Sequence, residues 1–266
     1  MKRILISGAG IAGPVLGYWL NKAGFQVTII EIEKDLRTGG QNIDITDAGR
    51  DVLKLMGIEG AVRDNFTGEK GLRFVDHRGK VKAEFPKDSE ISFTRDLEIL
   101  RGDLVKILFD FTKDDISYKF GCEVIRLNHE ENQVNVTFND NSSDSYDCFI
   151  AADGMGSSSR KLIFGNDMKM KYLGIWTSYF TVERTDYDDD WAKWYNAPDG
   201  VVVLLRPDNK ASMRASVNYL SDNSEYQPLS VDEKREKLVN VLSNKGWECD
   251  RLVQSLKKKM TSIWVR

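Results

Sequence analysis

Cysteine, histidine and proline are scarce in this chain: three, two and five among 266 residues. Cys122, Cys148 and Cys249 show no paired spacing and their number is odd, so no disulfide framework is indicated. With only His77 and His129 to join them, no ligand set at metal-binding spacing exists, and no metal site is expected. Buried free thiols in a reducing compartment are the expectation. Few prolines and no biased tract argue against a disordered chain. No apolar run approaches the roughly 18 residues of a membrane span. The opening Met1-Lys2-Arg3-Ile4-Leu5-Ile6-Ser7-Gly8 holds too few apolar residues for a signal peptide. Together these absences predict a soluble cytoplasmic protein. A dominant charge sign is missing too. The net charge is -3 with acids and bases interleaved, which gives no electrostatic footprint for nucleic acid. The run Lys257, Lys258, Lys259 reads as a solvated helix end.

Hydrophobic residues make up 41% of the chain, enough for two domains. Residues 3–7 form an apolar run that ends at Gly8, the pattern of a buried parallel strand. Residues 11–23 read as a helix with Val15, Leu16, Trp19, Leu20 and Ala23 on the inner face, closed by Gly24. Residues 27–30 are a second β-branched run ending at Glu31, completing a parallel βαβ unit. Further along, 47–56 and 102–112 read as helices, the second with Leu104, Ile107, Leu108 and Phe111 inward. Residues 72–85 read as a hairpin around Arg78-Gly79. Several strands follow over 116–152, then strands at 175–183, 201–206 and 211–219, and helices at 231–245 and 248–258. The fold class expected is α/β: a nucleotide-binding βαβ layer interleaved with a mostly antiparallel sheet.

Gly8, Gly10 and Gly13 make a G-x-G-x-x-G turn between the first strand and helix. Gly8 permits the tight turn, Gly10 lets a pyrophosphate approach the backbone, and Gly13 lets the helix sit close to the sheet. The free N–H groups and positive end of the helix then face two phosphates. Glu31 ends the second strand 18 residues beyond Gly13, where a carboxylate accepts hydrogen bonds from ribose hydroxyls and repels a 2′-phosphate. The triplet alone leaves NAD and FAD both open.

Four segments carry a resemblance that decides between them. The stretch Gly10-Ile11-Ala12-Gly13-Pro14, with Tyr18-Trp19-Leu20 and residues 24–31, resembles the opening of flavoprotein monooxygenases. The group that contains para-hydroxybenzoate hydroxylase and the tetracycline-modifying monooxygenases is the most similar. Leu36-Arg37 with Gly39-Gly40-Gln41-Asn42-Ile43-Asp44-Ile45 is similar to the family's segment along the flavin. Leu100-Arg101-Gly102-Asp103-Leu104 resembles its arginine and aspartate-leucine helix start. Asp153-Gly154-Met155-Gly156-Ser157-Ser158-Ser159-Arg160 matches its D-G-x-x-S-x-x-R motif.

The resemblance implies an FAD-binding Rossmann-like (GR2-type) domain of residues 1–71 and 95–170, and a substrate domain of 72–94 and 171–266. It implies that Gly8, Gly10, Ile11, Ala12 and Gly13 line the pyrophosphate and that Glu31 holds the adenosine ribose. Arg37 and Arg101 reach the phosphate or ribityl region, Val124 meets the adenine edge, and Asp153 sits beside the pyrophosphate. The family often has a basic residue after the ribose carboxylate; here Ile32 stands there. No side chain is required as nucleophile or acid–base catalyst, and none is found: His77 and His129 read as surface residues. Arg160 reads equally as an anchor of its own loop.

The implied activity is NAD(P)H-dependent monooxygenation, with FAD as cofactor, NAD(P)H as transient reductant, dioxygen, and a small aromatic or polycyclic substrate. The family's last flavin motif, a glycine-aspartate pair before alanines, is absent, so the resemblance implies a chain without the family's C-terminal third. A flavin-domain fragment without turnover, or an epoxidase or reductase of the same fold, therefore stays open. An NAD-linked dehydrogenase is disfavoured by the D-G-x-x-S-x-x-R motif. Trp176, Tyr179, Phe180, Trp191, Trp194 and Tyr195 serve either as sheet packing or as a substrate pocket. The sequence shows neither oligomeric state nor substrate identity.

Overall fold

The computed structural model describes residues 1–169, 171–221 and 229–258, and the main chain of 264–265. Lys259 of the lysine run lies outside the described residues. The chain opens with β1 (Arg3–Ser7), α1 (Ala12–Lys22) and β2 (Gln26–Glu31). It continues through β3 (Asn42–Asp44), α2 (Asp47–Met56), α3 (Glu59–Arg63), β4 (Gly71–Val75), β5 (Val81–Pro86), β6 (Glu98–Leu100) and α4 (Arg101–Thr112). Next come β7 (Ser117–Phe120), β8 (Val124–His129), β9 (Val134–Phe138), β10 (Ser143–Tyr146), β11 (Cys148–Ala151) and α5 (Ser158–Phe164). It ends with β12 (Ile175–Glu183), β13 (Ala192–Ala197), β14 (Val201–Pro207), β15 (Ser212–Leu220), α6 (Val231–Leu242), α7 (Cys249–Lys257) and β16 (Trp264–Val265). The expected α/β architecture of interleaved segments is present. One compact unit comprises Met1–Thr38 and Gly102–Lys171, the other Gly39–Arg101 and Tyr172–Arg266.

The first unit is built on a four-stranded parallel sheet in the order β11-β1-β2-β7. Alternation along β1 and β2 sends Ile4, Ile6, Val27 and Ile29 to one face, with Leu16 and Leu20 of α1. Leu5 and Ile30 go to the other face, onto the antiparallel β10-β9-β8 sheet through Val124, Val136, Phe138 and Tyr146. Each fully buried Leu or Ile side chain contributes about 1.5–3 kcal/mol. The inner face of α1 differs in part from the expectation. Its buried residues are Gly13, Pro14 and Gly17, whereas Trp19 is 36% exposed and Ala23 is exposed. A Cβ on Gly17 would sit 3.1 Å from both Ile29 and Ile116. The helix lies so near the sheet that Gly13 and Gly17 meet it directly, Leu16 and Leu20 pack half-buried against the same cluster as expected, and Trp19 and Ala23 are left exposed. Phe111 of α4 is likewise exposed, and Val105 is buried with Leu104 and Leu108.

The second unit holds a seven-stranded sheet, β16-β12-β15-β14-β13-β4-β5, antiparallel except where β13 runs parallel to β4. Helices α6 and α7 cover one face through Leu238, Leu242, Leu252 and Leu256. Ser230 and Glu233 form a capping box that starts α6. Trp176, Phe180 and Tyr195 belong to this core, so for these three the packing reading holds. Trp191 lies under the Arg73 guanidinium at 4.0 Å, and Trp194 donates to Asn196 Oδ1 at 2.9 Å. A short ribbon, β3 with β6, completes the unit. The cysteines are free, but only Cys249 is buried; Cys122 is half-buried, and Cys148, the first residue of the edge strand β11, is exposed. Burial pushes the Cys249 thiol up to about 12. Among the described residues no helix is long and apolar enough to cross a membrane.

Candidate functional site

Backbone packing and one carboxylate shape the turn between β1 and α1. Gly8 adopts φ +111° and donates its N–H to the Ile30 carbonyl at 2.7 Å. A Cβ there would lie 2.6 Å from the Ala152 carbonyl oxygen and 2.8 Å from Asp153 Cα. A Cβ on Gly13 would lie 2.0 Å from the Gly8 carbonyl oxygen, so only glycine lets the first turn of α1 rest on its own entry loop. Glu31 accepts the Ala9 N–H on Oε2 at 2.9 Å and the Glu33 N–H on Oε1 at 3.2 Å. The carboxylate thus stands directly beside the glycine turn.

Helix α1 opens without a capping side chain: its N-cap is Ile11, and no acidic residue occupies the first turn. Ala12 is exposed, with Gly10 and Ile11 half-buried. N–H groups at a helix start need acceptors, and the helix dipole favours a negative one. A cap carboxylate would have filled this place from within. Its absence, beside a ring of glycine backbone, fits the pyrophosphate of a dinucleotide.

The D-G-x-x-S-x-x-R loop follows β11. Asp153 accepts the Ser157 hydroxyl at 2.5 Å and the Ser159 N–H at 3.2 Å, while Ser157 caps α5 by accepting the Arg160 N–H at 2.9 Å. Arg160 donates to the Met155 carbonyl, so it anchors its own loop. The aspartate holds the loop in shape, and the loop backbone packs on Gly8.

The structure therefore brings Gly8, Gly10, Ile11, Ala12, Gly13, Glu31 and Asp153 to one end of the parallel sheet. Val124 stands apart in kind: its side chain is 2% exposed and faces the core, which leaves only its main chain for a ligand. Arg37 is exposed in the segment after β2, and that segment is held where Gly102 of α4 meets the Thr38 carbonyl. Arg101 belongs to the second unit. Its N–H donates to the Gln41 carbonyl at 3.0 Å, and its stem packs on Gly40, which has φ +139°. His77 and His129 are exposed.

Sequence reasoning missed a buried charged cluster in the second unit. Arg206 donates from Nε to Glu69 Oε2 at 2.8 Å and from Nη2 to Glu69 Oε1 at 3.1 Å. Its Nη2 also lies 3.0 Å from Glu98 Oε2 and 3.5 Å from Asp44 Oδ1. Burial pushes the Glu98 carboxyl up to about 7 against the pull of Arg206, and neighbouring Glu69 adds to the rise. The one local signal was a glutamate inside the apolar run Leu97-Glu98-Ile99-Leu100.

Comparison with known proteins places these features in a family. The family model described as "FAD binding domain" matches residues 1–266. The chain is 33% identical over 272 residues to the flavin-dependent monooxygenase eupH of Phoma sp, covering 96% of this chain and 62% of that protein. It is 31% identical over 269 residues to the FAD-dependent monooxygenase asL4 of Sarocladium schorii, covering 96% and 63%. The chain thus spans less than two thirds of the length of these curated relatives. Among solved structures it is similar to the tetracycline destructase Tet(55), at 30% identity and TM-score 0.86, covering 100% of this chain and 70% of that one. It shares its fold with Klebsiella pneumoniae HpxO complexed with FAD and uric acid, at 22% identity and TM-score 0.76, covering 99% and 67%.

Proposed function

The chain belongs to the FAD binding domain family of the flavin-dependent monooxygenases, and from that premise we propose that it binds FAD and serves NAD(P)H-dependent hydroxylation of a small aromatic or polycyclic substrate by dioxygen. The observation that carries the reading is the uncapped, acid-free start of α1, set in glycine backbone and flanked by Glu31.

In this reading Gly8, Gly10, Ile11, Ala12 and Gly13 hold the pyrophosphate through main-chain N–H groups. Glu31 accepts the ribose hydroxyls, and the Val124 main chain meets adenine. Asp153 keeps its loop against the pyrophosphate turn. Arg37 and Arg101 neutralise phosphate charge or bond the ribityl chain. When bound, FAD supplies electron transfer from a reduced nicotinamide and the activation of dioxygen. The protein's part is to hold, orient and exclude water. Residues 1–71 and 95–170 serve the flavin in this scheme, and 72–94 and 171–266 the substrate. A polycyclic substrate class is supported by the likeness to tetracycline destructases. Of the aromatic residues on β12, Tyr179 is half-buried on the face opposite Trp176 and Phe180, which are taken up by the core, and it is the one this reading assigns to the substrate.

Titration with FAD and with NAD tests the cofactor assignment: FAD is expected to bind more tightly, and tighter binding of NAD overturns it. Oxygen uptake with FAD, NADPH and candidate substrates then separates a monooxygenase from a flavin-binding chain without turnover. Substrate-stimulated uptake supports the first reading; FAD binding with no uptake supports the second.

A further inference from the structure

The ribbon of β3 and β6 is three residues per strand, too short to hold itself by main-chain pairing. It is fixed by side chains instead. Asn42 donates to the Pro207 carbonyl at 2.9 Å and to Glu98 Oε1 at 2.5 Å. Glu98 and Asp44, opposite one another in the ribbon, both face Arg206 of β14. Glu69 joins from the segment before β4 and accepts the Thr94 hydroxyl at 2.5 Å. One guanidinium thus serves three carboxylates. Asp44 is partly solvated, but the side chains of Glu69 and Glu98 are only 1% and 0% exposed.

We propose that Glu69, Glu98 and Arg206 are positioning residues, a buried clamp in which Glu98 carries a proton, and that this clamp fixes β3 and residues 39–41 in the arrangement flavin binding needs. Two buried carboxylates on one guanidinium would leave a negative charge without compensation, and a protein of this size avoids that by neutralising one of them. Glu69 takes both Nε and Nη2 of Arg206, so it is the ionised partner. Glu98 makes only a single contact with Arg206, and its complete burial outweighs the opposing pull of Arg206 and of the Asn42 N–H donor, so it is the one to be neutral. Its elevated proton affinity agrees. The next charges in this unit, Arg214 and Asp208, pair with each other at 2.9 Å, and Arg214 donates onward to the Gly40 carbonyl at 3.3 Å. The segment that the family resemblance lays along the flavin is therefore tied to β14 and β15 at both ends. Loss of the Glu98 proton sets like charges against each other inside the clamp and loosens β3.

The inference rests on the FAD reading above, and the test separates the two. FAD affinity is measured by titration from pH 5.5 to 8.5 for the wild-type chain, Glu98→Gln and Glu69→Gln. Thermal unfolding of each without FAD is followed over the same range and down to pH 4. Wild-type affinity is expected to fall by up to about tenfold per pH unit above pH 7. Glu98→Gln, which resembles the protonated acid, flattens that fall. Glu69→Gln, which strips Arg206 of its ionised partner, weakens binding at every pH. Parallel pH profiles for wild type and Glu98→Gln, or weaker binding by Glu98→Gln at pH 6, overturn the clamp. If the wild-type chain binds no FAD at any pH, the cofactor reading fails instead, and unfolding then decides the clamp. Glu98 has a folded-state proton affinity raised above the ordinary glutamate value, so its stabilisation is full below about pH 4.5 and is lost as pH rises to about 7. The melting temperature of wild type must fall relative to Glu98→Gln across that window; a constant difference overturns the proposal.

Discussion

Replacing Gly13 by alanine puts a methyl carbon 2.0 Å from the Gly8 carbonyl oxygen. Carbon–oxygen contacts close at about 3.3 Å, so the two backbones must separate by more than ~1 Å. Gly8 cannot yield, because it is itself wedged against Ala152 and Asp153. The movement therefore falls on the first turn of α1. Forcing an extra methyl into a packed site costs about 1–3 kcal/mol, and an obstacle of main-chain atoms places this case at the upper end. At about 2–4 °C per kcal/mol for a chain of this size, the melting temperature should drop by about 6–12 °C. The same shift turns the N–H groups of residues 11–13 away from the pyrophosphate. Losing one charge-assisted hydrogen bond, about 1.5–3 kcal/mol, should raise the FAD dissociation constant about 10–100-fold. Gly24→Ala is the control. Gly24 also has positive φ, +86°, but nothing lies within 4 Å of its would-be Cβ, so about 1–2 kcal/mol of backbone strain is the whole cost. Thermal unfolding and FAD titration of both variants give the answer. A Gly13→Ala chain that melts within about 1 °C of wild type and keeps its FAD affinity would refute the close-packed turn.

Glu31→Ala should weaken FAD binding about 10–100-fold through lost bonds to a charged acceptor, with a smaller fall in melting temperature because the Ala9 N–H also loses its partner; unchanged affinity would remove Glu31 from the ribose. Arg251→Met should cost about 3–5 kcal/mol in urea unfolding, since it strands the buried carboxylate of Asp188, which is 4% exposed. Adding Asp188→Asn should restore part of that loss, and strict additivity of the two changes would show that the pair is uncoupled. Arg3 holds the Asp144 carboxyl down to about 2. Because that affinity is depressed, the stabilisation is present above about pH 4 and disappears as pH falls towards 2. The melting temperature of wild type should therefore drop faster than that of Asp144→Asn over this range. Solvent exposure of the pair keeps the effect small.

What could be seen in the sequence follows from the range over which each interaction acts. β1, α1 and β2 carry their signals within 30 residues: two apolar runs, a glycine turn and Gly24. Their inner faces were less legible. Periodicity ranks residues by hydrophobicity, so it placed Trp19 inward, whereas closeness of helix to sheet selected Gly13 and Gly17. β13 escaped notice because Ala192–Ala197 mixes lysine and asparagine with its aromatics, and its neighbour β4 lies over a hundred residues earlier. β3 and β6 are too short to show any period. In the candidate site, the turn and Glu31 were legible because their spacing is fixed by one βαβ unit. The clamp was not, since Glu69, Glu98 and Arg206 come together only through the fold. Val124 shows the converse: its place in the strand was legible, but the burial of its side chain was not.

The order β11-β1-β2-β7 also sets a timetable for the chain as it leaves the ribosome. β1 pairs with β11 from Ile4↔Cys148 onward, so its neighbour is made 144 residues later. At about 5–20 residues per second, the edge of β1 waits about 7–29 s for that strand. Ile4, Leu5 and Ile6 stay apolar and half-paired throughout, with α1 able to cover one side only. The antiparallel β8–β10 layer that shields the other side is itself synthesised just before β11. Nascent chains should therefore depend on a chaperone until about residue 150 has emerged, and a pause in translation before that point should lower the folded yield more than one after it.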